Sequence, residues 1–274
     1  MIRIMSMEWL KLTRRWMPRI LIVMVAGLTV VAFWGEATRS AERMNLLMPR
    51  GWLAALTLCS FFAAFFWPVL GGSWAGNEYG WGTIRTILTR RPYRIEQVIG
   101  ALAMLFIGLA IALIVLLLVA SAAGIVIAVL TGNHLFVSGV MSGSFALLVL
   151  KGFLAAWYVS AFYLFLAYAA ATIFRSAAVG IGFGIGATFA QVILFRIFEG
   201  LGGVWETIAK HFPFEYTNNL ITEVVHGGLV SGTDLASVGA NSPSISDSFI
   251  WLTLYSVILL AITLYAVRTR DVTA

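Results

Sequence analysis

Six long apolar runs constrain this chain more than any other feature. They cover residues 17–33, 52–74, 98–130, 147–174, 177–198 and 249–267. A helix needs about 20 apolar residues to cross roughly 30 Å of hydrocarbon. Within lipid, the backbone must satisfy its own polar groups, and runs of this length do so as helices. The expected fold class is all-α, a polytopic membrane protein with six transmembrane helices. Only Arg175 and Ser176 separate the fourth and fifth runs, so the total of six depends on a tight turn there. The third run is long enough to tilt, or to project beyond the bilayer.

Composition excludes the soluble classes. Charged residues make up 11% of the 274 positions, against about 25% in a soluble domain. Mean hydropathy is +0.94. The net charge of +6 raises the idea of nucleic acid. The arginines flank apolar runs and form no single basic face, which fits anionic lipid headgroups and no nucleic-acid partner. The lone cysteine, Cys59, lies inside an apolar run and reads as a packing residue. The first run follows a basic stretch without a convincing small-residue cleavage site, and reads as a retained span.

Orientation follows from the basic residues. One side collects Arg3, Lys11, Arg14, Arg15, Arg19, Arg85, Arg90, Arg91, Arg94, Arg175, Arg268 and Arg270. The other holds Arg39, Arg43, Arg50 and Lys210. Both termini are therefore expected in the cytoplasm. The whole of 1–274 reads as one transmembrane domain with three attachments. Residues 1–16 read as an interfacial helix, with Met7, Trp9, Leu10, Leu12 and Trp16 apolar and Lys11, Arg14 and Arg15 between them. Residues 75–97 form a cytoplasmic connection. Residues 199–247 form an external segment carrying Glu199, Glu206, Glu215, Glu223, Asp234 and Asp247. Within it, Leu220, Ile221, Val224 and Val225 mark a short helix that turns back toward the membrane.

The cytoplasmic connection holds the most informative stretch. Residues 76–94 read GNEYGWGTIRTILTRRPYR. Residues 83–90 can form a short amphipathic helix, with Ile84, Ile87 and Leu88 on one face and Arg85, Thr89 and Arg90 polar. Pro92 ends it, and Gly80 and Gly82 permit a sharp exit from the second span. A short helix held between two spans can lie on lipid or enter a groove of a partner.

Glu78, Gly82, Thr83, Arg85, Leu88, Pro92 and Arg94 together resemble the signature of ABC-2 type transporter permeases, the membrane subunits of type-2 ABC exporters. An interfacial N-terminal helix, six spans and a large external segment between the last two spans agree with that family's layout. The resemblance covers the whole chain. One departure is that Gly100 is followed by Ala101, where many relatives carry lysine. The resemblance implies that residues 83–90 are a coupling helix seated in a separate ATPase subunit. Glu78, Gly82, Thr83, Ile84, Arg85, Ile87, Leu88 and Arg90 would make that junction. Glu78 and Arg85 would pair with the ATPase's charges or brace the end of span two. It also implies two ATP-binding subunits, a second and identical permease, surrounding membrane lipid, and a bacterial inner-membrane location. ATP and Mg would sit in the partner, with no cofactor in this chain.

No GxxxxGK[ST] phosphate loop is present. The chain is not expected to be an enzyme. His134, His211 and His226 are too scattered for a metal site, and neither HExxH nor GxSxG occurs. The span centres hold no acidic residue for an ion relay. Phe65, Tyr158, Tyr163, Thr188 and Gln191 offer an aromatic, weakly polar path suited to a hydrophobic or amphipathic cargo: a lipid, peptide or antibiotic. Two other classes stand beside export. One is a non-transporting scaffold or immunity protein. The other is a membrane-embedded lipid-acting enzyme using Glu206 or Glu215.

Overall fold

The computed structural model describes residues 2–82, 94–132, 142–229 and 243–269. Among them there is no strand. The helices are α1 (Ile2–Arg14), α2 (Trp16–Ala37), α3 (Ser40–Leu46), α4 (Gly51–Gly80), α5 (Arg94–Thr131), α6 (Gly143–Phe174), α7 (Ala177–Leu201), α8 (Gly203–Ala209), α9 (Pro213–Val225) and α10 (Ile245–Thr269). Six of them, α2, α4, α5, α6, α7 and α10, are long and apolar enough to cross a membrane. Each apolar run of the sequence lies within one of these six. The chain is an all-α polytopic membrane protein.

The helices overrun the apolar stretches, because a helix continues until a residue stops it. α4 carries on to Gly80, and Gly82 then turns the chain at φ +68°. α5 begins at Arg94 and has 38 residues, about 57 Å at 1.5 Å per residue. That exceeds a hydrocarbon core of roughly 30 Å, so part of α5 projects or tilts.

The α6–α7 turn has a plain local cause. Arg175 adopts the left-handed conformation (φ 56°, ψ 31°) and ends α6, while its own N–H bonds back to Ala171. Ser176 then caps α7, its hydroxyl accepting from the Val179 N–H at 3.4 Å. At the other end of α6, the Ser142 hydroxyl accepts from the Phe145 N–H at 3.2 Å.

α6 is the centre of the bundle, with residues 159–172 all buried. Small residues let α4 and α7 reach it. A Cβ on Gly71 would lie 2.1 Å from the Leu164 carbonyl oxygen, and one on Gly76 would lie 2.2 Å from the Ala177 nitrogen. Gly180 packs on Ala171 and Ala167, and Gly184 on Pro68 of α4. Gly182 and Gly186, on the opposite face of α7, meet nothing within 4 Å. The glycine run thus uses one face for packing inside the chain, as small-residue motifs do in membranes. Outward faces carry large apolar side chains: Val23 and Val31 on α2, Leu118 and Val129 on α5, Ile193 on α7 and Ile250 on α10.

α1 is amphipathic as its sequence suggests, and the face it docks combines the apolar Ile4 and Leu12 with the charged Glu8 and Lys11. Ile4 sits against Gly100 and Leu12 against Gly108. Both pairs are eight residues apart, so α1 runs alongside the start of α5. Glu8 is fully buried. Trp9, Leu10 and Trp16 point away from the bundle, with Trp16 73% exposed.

Candidate functional site

Two places gather the chemistry. The first is the junction where α1 meets the end of α4 and the start of α5. The Glu8 carboxylate accepts from Lys11 Nζ at 2.6 Å, Trp74 Nε1 at 2.9 Å and Gln97 Nε2 at 3.0 Å. Lys11 Nζ also donates to Glu78 Oε1. One ammonium therefore serves two carboxylates from two helices. The Arg15 guanidinium lies over Trp74 at 4.9 Å and over Trp81 at 5.2 Å from the ring centres, a cation–π contact. Arg94 Nη1 donates to the Val267 carbonyl at 3.3 Å, which brings in the end of α10. A cavity of about 40 Å³ lies between Glu78, Tyr79, Arg94, Gln97, Tyr168 and Arg175.

Of the expected coupling residues, Glu78 is buried in this network and Gly82 makes the turn that follows it. Thr83, Ile84, Arg85, Ile87, Leu88 and Arg90 lie outside the described residues. Glu78 thus faces Lys11 of its own chain.

The second place is a cavity of about 410 Å³ walled by α4, α6, α7 and α9. Phe65, Tyr163 and Thr188, expected on the cargo path, meet here. Phe65 touches Phe189 edge to face at 5.4 Å and Phe61 at 5.9 Å. The Tyr163 hydroxyl is 2.7 Å from the Thr217 hydroxyl on α9. Leu220, Ile221 and Val225 are buried as α9 packs back on the bundle, so the short helix expected there is present. Pro213 opens it at a position where the missing N–H costs nothing. Tyr216 of α9 stacks on Trp251 of α10 at 6.1 Å, and burial pushes its phenol up to about 12.

Tyr158 and Gln191 do not join this cavity. Tyr158 is five residues before Tyr163, about 140° away around a helix of 3.6 residues per turn. Its hydroxyl pairs with Thr253 of α10 at 2.8 Å, beside a separate apolar groove of about 540 Å³. Gln191 Oε1 accepts the Phe214 N–H at 2.9 Å, so it secures the start of α9.

No family model matches the chain, and no curated protein matches it.

The carboxylates of α8 and α9 sit in local pairs: Glu206 with Lys210 at 2.7 Å, and Glu215 with the Asn219 amide at 2.9 Å. Among the described residues no group of three His, Cys, Asp or Glu side chains is placed to hold a metal. Sequence reasoning missed the partners that α9 brings, Thr217, Asn218 and Thr222. They stand one turn from the apolar positions that did announce the helix. It also missed Glu8 and Gln97, single polar residues whose roles appear only once α1 is laid on α5.

Proposed function

We propose that this chain is the permease subunit of a type-2 ABC exporter, driven by a separate ATPase and moving a hydrophobic or amphipathic cargo through the bacterial cell membrane. The reading rests on the motif residues between Glu78 and Arg94, in a chain with six helices fit to span a membrane. The junction favours it mechanically. Lys11 ties α1 to α4 immediately before the coupling segment, and Gln97 ties α1 to α5 immediately after it. A push delivered to residues 83–93 would therefore reach three helices together. ATP-driven closure of the partner does work only by favouring one permease state over the other. Two ATPase copies and a second, identical permease complete the assembly in this reading. The cavity between α4, α6, α7 and α9 is the cargo site.

Affinity purification of the tagged chain from its native membrane tests the reading. An ATP-binding subunit should co-purify, and Arg85→Glu should lose both that subunit and cargo-stimulated ATP hydrolysis. Recovery of the chain with no ATPase, under conditions that keep it folded, would overturn it.

A further inference from the structure

The hydroxyl groups around the cavity do not offer their protons to its interior. Thr57 donates to the Leu53 carbonyl at 3.0 Å, Ser60 to Leu56 at 3.0 Å, Thr188 to Gly184 at 3.0 Å and Thr222 to Asn218 at 2.9 Å. Thr217 donates to the Phe214 carbonyl at 2.8 Å. With that proton committed, the Tyr163 hydroxyl must be the donor in its 2.7 Å bond to Thr217. The Phe214 N–H, at the start of α9, is already taken by Gln191. Each hydroxyl keeps a lone pair and has no proton left. The wall accepts hydrogen bonds and scarcely donates them. Asn218, at the exposed rim, carries the one side-chain amide N–H of the lining.

No lining residue carries a formal charge. A carboxylate or phosphate placed here would lose its hydration and find no cation and, beyond Asn218 at the rim, no side-chain donor, which is costly. To bond it, a threonine would have to give up a main-chain carbonyl. A head bearing N–H or O–H groups meets ready acceptors. The rings of Phe61, Phe65, Phe189 and Phe214 line the same space, and aromatic faces attract cations.

We propose that the cavity selects cargo whose polar head donates hydrogen bonds and carries no negative charge, an amphipathic amine being the best match. Thr188 and Thr217 determine that specificity through their free lone pairs. The proposal rests on the reading of this cavity as the cargo site. It needs no ATPase for its test.

The test is equilibrium binding of three radiolabelled probes to the purified chain in lipid nanodiscs, with empty nanodiscs subtracted. Tetradecylamine offers charge and N–H donors, tetradecyltrimethylammonium offers charge alone, and tetradecanoate offers a negative acceptor. The amine should bind at least ~10-fold more tightly than the quaternary ion, the size expected for a hydrogen bond to a charged group. The carboxylate should not bind measurably. Thr188→Val with Thr217→Val should lower amine affinity by a similar factor and leave the quaternary ion unchanged. Equal binding of amine and quaternary ion would overturn selection by donors. Carboxylate binding as tight as the amine would overturn the exclusion of negative charge. Binding of none of the three would remove the cavity as a cargo site, whereas co-purification of the ATPase judges the permease reading independently. The wild-type probe series decides the outcome even if the double variant fails to fold.

Discussion

Lys11 and Glu78, 67 residues apart in sequence, form an ion pair that fastens the N-terminal helix to the last turn of α4. The same ammonium holds Glu8, whose carboxylate is fully buried. Removing Lys11 leaves two carboxylates without their shared cation. Loss of one partner of a buried pair costs about 3–5 kcal/mol. Lys11→Met should therefore lower the unfolding temperature in detergent markedly. Adding Glu78→Gln should restore part of the loss, because it removes one of the two carboxylate charges that shared Lys11 and the effects of contacting residues are not additive. An unchanged unfolding temperature in Lys11→Met would show that the network contributes nothing.

Close approach of α4 to α6 predicts a sharp size limit at Gly71. A methyl group there would collide with the Leu164 main chain. Overpacking costs about 1–3 kcal/mol, so Gly71→Ala should destabilise the bundle. Gly186→Ala, where a Cβ meets open space, should be neutral or slightly stabilising. Parallel thermal unfolding of both variants checks the contrast.

Arg175 holds a left-handed backbone conformation that costs most L-residues about 1–2 kcal/mol. Arg175→Val should be destabilising, because a branched Cβ fits that region worst. Arg175→Asn should be tolerated better on the backbone side. A stability ranking with valine at or above asparagine would mean that the turn is not held as described.

Residue exposure sets a labelling test of topology. Cys59 is buried and should resist aqueous maleimide. Trp81→Cys, at the exposed end of α4, should label from the side that also bears the N-terminus. Val204→Cys on α8, 75% exposed, should label from the opposite side. Labelling of both from one side would break the six-span arrangement.

The spans were legible because apolar length is a direct physical requirement of the bilayer. Even the break at Arg175 could be read, since residues 147–198 are too long for one crossing. The helix ends were less legible. α4 runs past Trp74 to Gly80, because no residue there stops a helix. The docking of α1 was hidden for a different reason. Its basic and aromatic residues suit an interfacial helix, and nothing local reveals that Glu8 will meet Trp74 and Gln97. The cavity between α4, α6, α7 and α9 was half legible. Phe65, Tyr163 and Thr188 stood out as aromatic or polar residues within spans. Tyr158 shared that signal and faces another way, since residue type does not encode the direction of a helix face.

Residues 83–90 are proposed to couple the chain to a separate ATPase, and crosslinking tests that proposal. A photoreactive amino acid at Ile84 or Ile87 should, on illumination of native membranes, yield an adduct between this chain and an ATP-binding subunit. Adducts confined to lipid, in cells where the chain remains folded and inserted, would contradict the account.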